Sequence, residues 1–253
     1  MTLEIRRESG ICELHINAPS SNLIDRALCD ELTAAVGDAA QDRHLKAFLF
    51  TAAGKHFSFG ASIPEHMAGE VERFLPAFHR LFETLAATDV PAIAAVRGLC
   101  LGGACELAAF CNLLVAEESA EFGVPEITLG VLPPAACVIL PWRVGGAVAE
   151  DLILSGRRMK AAEAAACGLV SRVCPDGTLE GALQTLLDKQ IRPRSAAALR
   201  LATRAVRMPL VQALRERLPS LERIYLTELM ATRDAHEGIQ AFLEKRKPVW
   251  ADA

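Results

Sequence analysis

The segment Pro91-Ala-Ile-Ala-Ala-Val-Arg-Gly-Leu-Cys-Leu-Gly-Gly-Ala-Cys-Glu-Leu-Ala-Ala-Phe110 constrains the fold more than any other part of the chain. Ala92 to Val96 is a short apolar run of the kind that forms a buried strand. Gly98, Gly102 and Gly103 then permit a tight turn, and Gly102 to Ala109 reads as a helix. Extended to Ala116, this is the most apolar region of the sequence. Arg97, the glycines, Glu106 and Asn112 would be costly in lipid, so it reads as protein core and not as a membrane span.

A chain of 253 residues suits one large domain, or one domain with a small appendage. Its 51% hydrophobic and 23% charged residues exclude a disordered, collagenous or mucin-like chain. A formal net charge of −4 gives no basic bias, which argues against a nucleic-acid surface. The opening MTLEIRRESG has neither an apolar signal core nor the character of a transit segment, so a cytoplasmic location is expected. The eight cysteines lie mostly in apolar stretches and never as CxxC, and read as reduced small hydrophobes. The six histidines form no HExxH motif or Cys/His cluster, so no metal site is expected.

Short alternating segments at Leu3 to Arg7 and Ile11 to Ile16, separated by Ser9-Gly10, predict a hairpin. Asn22 or Asp25 can cap a helix whose apolar positions are Leu28, Leu32, Ala35, Val36 and Ala39. A strand over Lys46 to Phe50, a helix over Val71 to Ala87 and a strand over Asn112 to Ala116 complete an α/β rhythm. From about Leu179 the pattern is helical, with Pro193, Pro209 and Pro219 marking breaks. The expected division is a core over residues 1–179 and a helical region over 180–253, which covers the core as a lid or packs on neighbouring subunits.

Three features could carry chemistry. The turn Gly98 to Glu106 leads into a helix whose first N–H groups are free to hold a developing oxyanion, although tight strand-to-helix packing would also explain its glycines. Phe59-Gly60-Ala61 is a second small-residue turn, or an ordinary loop. Glu106 and Glu126 are acids in apolar surroundings, where burial and mutual repulsion would separate their pKa values. Each could equally be structural, Glu106 neutral or paired and Glu126 a cap. Neither GxGxxG nor a complete GxxxxGK[ST] occurs, so the nucleotide-binding motifs fail.

His56-Phe-Ser-Phe-Gly-Ala-Ser-Ile63, Pro91 to Ala108, Ala120-Glu-Phe-Gly-Val-Pro-Glu126 and Ala241-Phe-Leu-Glu-Lys-Arg-Lys247 together resemble the crotonase, or enoyl-CoA hydratase/isomerase, family. The resemblance runs through nearly the whole chain. It implies a crotonase-like α/β spiral of repeated ββα units that binds acyl-CoA, with C-terminal helices building trimers or dimers of trimers. It also implies that the N–H groups of Ala61 and Gly103 hold the thioester oxyanion, and that Glu106 and Glu126 are the catalytic pair, Glu106 activating water and Glu126 handling the carbon-bound proton. Lys245 is similar to a lysine that meets a CoA phosphate, and Phe242 to the nearby adenine-side aromatic. Coenzyme A is then part of the substrate and no separate cofactor is needed.

The departures from the family pattern are Ser62 for aspartate, Ala104 for the third glycine, and Pro133-Pro-Ala-Ala-Cys137 for a glycine-rich segment. Ile63, Pro133, Pro134 and Ala135 are therefore expected to reshape the acyl pocket. The resemblance then implies 1,4 addition of water to a cyclic conjugated dienoyl thioester, cyclohexa-1,5-diene-1-carbonyl-CoA, giving 6-hydroxycyclohex-1-ene-1-carbonyl-CoA. The alternatives are an ordinary enoyl-CoA or cyclohex-1-ene-1-carbonyl-CoA hydratase, and a non-catalytic acyl-CoA-binding homologue.

Overall fold

The computed structural model describes residues 2–253. Strands β1 (Leu3–Glu8) and β2 (Ile11–Ile16) form the expected antiparallel hairpin, turned by Ser9 and Gly10 at positive φ. β2 then pairs in parallel with β3 (Ala47–Ala52), and β4 (Ala92–Val96), β6 (Leu113–Glu117) and β9 (Arg172–Cys174) extend a six-stranded sheet in the order β1-β2-β3-β4-β6-β9. Every residue of β4 is buried, as a parallel strand covered on both faces requires. A second, three-stranded sheet contains β5 (Leu99–Leu101), β7 (Glu121–Gly123) and β8 (Arg158–Lys160).

The two sheets are linked by repetition. β4 enters the large sheet, β5 enters the small one, and helix α4 (Gly103–Phe110) follows; β6 and β7 then repeat the step. Ser58 bridges to Cys100, so the segment after β3 meets the small sheet in the same way. This is the crotonase-like spiral of ββα units.

A one-turn helix, α1 (Pro19–Asn22), precedes α2 (Arg26–Ala39), which Asp25 caps by accepting from the Leu28 N–H at 2.8 Å. Asn22 acts elsewhere. Its side-chain amide donates to the carbonyls of Ala53 and His56, anchoring the loop that leads to Ala61. α2 packs on α3 (Val71–Thr88) over the main core. Beyond α5 (Pro134–Val144), α6 (Gly146–Ser155) and α7 (Ala161–Ala166), α8 (Leu179–Leu186) covers the other face of the large sheet. There Leu179, Leu183 and Leu186 meet Leu49, Ile93 and Val115.

α9 (Ala196–Arg223) corrects one expectation, because Pro209 and Pro219 lie inside it and do not end it. Both prolines are exposed, where water can satisfy the carbonyls they leave free, while Leu210, Leu214 and Leu218 hold the helix to the main core. Pro193 does lie in the turn before α9. The last helix is α10 (Arg233–Leu243). All eight cysteines carry free thiols, and among the described residues no helix is long and apolar enough to cross a membrane.

Arg207 of α9 ties this region to the centre. Its guanidinium donates to the Phe110 carbonyl at the C-terminus of α4 and sits 4.2 Å over the Phe110 ring. A cation there satisfies both an orphan carbonyl and the negative end of the helix. Arg207→Met keeps the apolar stem and removes the donor, leaving the carbonyl buried and unpaired. The expected loss is about 1–3 kcal/mol, which thermal unfolding would read as a fall in Tm of several degrees; an unchanged Tm would show that the contact contributes nothing.

Candidate active site

The site forms where two glycines allow backbone to meet backbone. Gly60 has φ 102°, and a Cβ there would stand 2.7 Å from the Leu101 carbonyl oxygen. Ser58 Oγ stiffens this loop, accepting from the Gly60 N–H at 3.0 Å and donating to the Asn22 carbonyl at 2.6 Å. The loop therefore lies against the turn that starts α4. A Cβ built on Gly103 would fall 3.6 Å from the Ala61 Cβ, so the two residues are neighbours. Gly103 is the first residue of α4, where helical N–H groups have no internal acceptor. Among the described residues, neither Ala61 nor Gly103 donates its N–H to another protein group.

Glu106 sits in the first turn of α4 and is 3% exposed. Its Oε1 accepts from the Ala136 N–H at 2.7 Å, in the first turn of α5. α5 opens with Pro133 and Pro134 and has no side-chain cap of its own, so Glu106 serves as its cap from a different helix. Burial raises Glu106 to about 7, although the Ala136 and Ala135 N–H groups pull the other way. Glu126 arrives on the 3-10 turn Pro125–Leu129, close to the start of α4; a Cβ on Gly102 would lie 2.8 Å from its Oε1. The residue as a whole is half-buried, but Oε2 is shielded from solvent and has no partner among the described residues. Burial, and then the Glu106 charge, push the Glu126 carboxyl well above the ordinary range.

Ala61, Gly103, Glu106, Glu126, Pro133 and Pro134 line one cavity of about 20 Å³. A buried water needs roughly 10–15 Å³ on that measure, so the cavity takes about one. Ala135 is buried behind it beside Glu106. Ile63 does not line it, and packs against the cluster containing Leu75 and Tyr225. Phe242, in the last turn of α10, and Lys245, just beyond that helix, are also outside it, and both are exposed. The remaining walls come from residues that local pattern did not single out: His66, Phe74, Leu75, Phe78, Leu132 and Tyr225. His66 lies in the Ile63–His66 turn and shares a hydrogen bond of 3.0 Å with the Ser62 carbonyl, which fixes Nδ1 as the protonated nitrogen. Tyr225 is the single tyrosine of the chain.

Two neighbouring N–H groups without a protein acceptor can hold an oxyanion, and two carboxyls of unequal acidity can take one proton and give another. A sequence profile described as enoyl-CoA hydratase/isomerase matches residues 6–253. The chain belongs to the enoyl-CoA hydratase/isomerase family. Its relatives in this family include the cyclohexa-1,5-dienecarbonyl-CoA hydratase of Thauera aromatica, 43% identical over 97% of this chain and 95% of the relative. They also include the 2,3-dehydroadipyl-CoA hydratase of Escherichia coli (strain K12), 40% identical over 97% of each. The crystal structure of an enoyl-CoA hydratase from Mycobacterium avium subsp. paratuberculosis K-10 superposes with a TM-score of 0.89 at 27% identity, covering 100% of this chain and 99% of the other. As an enoyl-CoA hydratase/isomerase family member the protein is a hydro-lyase that acts on an acyl-CoA thioester.

The raised pKa of Glu106 has a sign for stability. An unfolded glutamate titrates near 4.5 and the folded one at about 7, so across that window the folded state binds more protons. Stability contributed by this group is therefore lost as the pH rises through it. Glu106→Gln retains an oxygen for the Ala136 N–H and removes the titration. The stability of the variant relative to the parent should grow from about pH 5 to about pH 8, as measured by denaturant unfolding at each pH; a constant difference would show that Glu106 is not destabilised by burial.

Proposed function

We propose that this protein adds water across the double bond of a compact α,β-unsaturated acyl-CoA thioester. The observation that carries the reading is one water-sized cavity faced by Glu106 and Glu126 and flanked by the Ala61 and Gly103 N–H groups. The thioester oxygen sits between those two N–H groups, which take up the negative charge of the enolate. Water adds its oxygen to Cβ and gives a proton to Glu106, while Glu126 gives its proton to the enolate carbon. Environment assigns the roles: amides of α5 favour the ionised form of Glu106, whereas Glu126 stands beside that charge with an unpartnered oxygen and keeps its proton. Transfer between the two carboxyls restores the starting state.

The same proposal places the CoA at the exposed end of α10, with Lys245 on a phosphate and Phe242 beside the adenine. It assembles the protein as a trimer or a dimer of trimers through the C-terminal helices. Exposed Leu201, Val206 and Met208 on α9 support such packing.

A second, narrower reading takes a ring-shaped conjugated acyl group. It is supported by the name of the Thauera aromatica relative and by the shape of the walls: Pro133 and Pro134 are rigid, and the Phe74 and Phe78 rings lie nearly parallel, 11° apart at 5.8 Å. Hydroxide would then add at Cβ and the proton would go to the distal conjugated carbon in place of Cα. The dehydroadipyl relative is almost as similar, so identity alone does not select the ring.

The test incubates purified protein with crotonyl-CoA, cyclohex-1-ene-1-carbonyl-CoA and cyclohexa-1,5-diene-1-carbonyl-CoA, resolving products by chromatography and mass. Gain of one water on any of them supports hydration. Conversion confined to the diene selects the ring reading, preference for crotonyl-CoA removes it, and no conversion of any conjugated thioester overturns the proposal. Glu106→Gln should lower kcat on the best substrate by about 10²–10⁴-fold.

A further inference from the structure

Two polar atoms in the cavity are left over once the glutamates and the oxyanion donors have been placed. Tyr225 is 1% exposed, and its phenol oxygen is buried with no partner among the described residues. Glu126 Oε2 is in the same condition. Both residues line the same small cavity. Tyr225 sits on a π-helical turn, Ile224–Glu228, between α9 and the final helix. Its ring is held edge-on to His66 at 6.4 Å, and His66 is itself fixed by the Ser62 carbonyl. The phenol is thus a positioned group, and π turns of this kind are frequent at functional sites.

The opposite requirement comes from the prolines. Pro133 and Pro134 line the cavity and carry no N–H, so neither offers a backbone donor. A water held by two carboxyls directs its hydrogens at them and still has two lone pairs. One must face the substrate carbon. The other needs a donor if the water is to be fixed in direction as well as in place.

We propose that Tyr225 is a catalytic residue, its O–H donating to the reacting oxygen that Glu106 and Glu126 hold, so that the remaining lone pair points at carbon. This rests on the hydratase reading above. In the hydration direction the phenol orients water, and in dehydration it steadies the departing hydroxyl; it keeps its own proton throughout. Burial first, and then the neighbouring carboxyls of Glu126 and Glu106, raise the phenol's pKa and keep it neutral, as a donor must be. The titratable groups facing it are Glu106 from α4, Glu126 from the Pro125–Leu129 turn and His66 from the Ile63–His66 turn, with Cys105 and Cys137 near the carboxyls.

Tyr225→Phe deletes one oxygen and keeps the ring. On the best substrate of the panel, kcat should fall about 10- to 100-fold with little change in KM. The acid limb of the kcat profile should move to higher pH, because a donor to the water and carboxyl network has gone and the ionised acids are less favoured. A phenol serving only as packing would leave both kcat and the profile unchanged, and that result overturns the proposal. If the parent hydrates no thioester, the functional reading itself has failed. The role of the phenol is then read by infrared titration of the buried carboxyls in parent and Tyr225→Phe: an upward shift in the variant upholds the hydrogen-bonded network, and identical titrations refute it.

Discussion

An ionised carboxylate taken out of water costs several kcal/mol unless the protein gives it partners, and this molecule takes two carboxyl groups into one cavity. The surrounding elements answer that cost in different ways. Glu106 receives backbone N–H groups from the first turn of α5 and titrates at about 7, close to neutrality. Glu126 receives less, lies against the start of α4, and is pushed well above the ordinary carboxyl range by burial and by its neighbour. In the proposed hydration these two identical side chains serve as base and acid.

The same logic extends along α4, a helix buried at every position. Its first residue, Gly103, lines the cavity, and its C-terminal carbonyl is met by Arg207 from a helix nearly a hundred residues later in sequence. Burial lowers that guanidinium only to about 10, so it remains a cation at neutral pH. The helical C-terminal third is therefore more than a cover. It closes one end of the central helix through α9 and reaches the cavity with Tyr225.

Much of the fold was legible because its signals are local. The Pro91 to Phe110 segment folds as strand and helix with its glycines where backbones meet, although the stretch read as a turn holds the short strand β5; the Ser9-Gly10 hairpin and the Asp25 cap are local signals of the same kind. Glu106 and Glu126 stood out because charge in apolar sequence is conspicuous; Ala61 and Gly103 lie in turns that small residues mark, but it was the family resemblance that singled them out. His66 and Tyr225 gave no such signal: one histidine in a loop and one tyrosine in a long helical stretch look like ordinary packing until the chain brings them together. Pro209 and Pro219 misled for a related reason. A proline ends a helix unless water can reach the carbonyl it frees, and sequence alone does not say which face is wet.

Glu106 closes the start of α5, a helix that opens on two prolines and carries no cap of its own. A single carboxyl thus answers to two selective demands that pull apart. Drift toward heat tolerance favours a neutral side chain at position 106, since the amides of α5 can be met without charge and the desolvation cost disappears. In the proposed reaction, turnover favours the acid. Lineages of such a protein moving into hotter habitats would have to find their extra stability elsewhere, on the sheet edges and the outer helices, and leave the centre comparatively fragile.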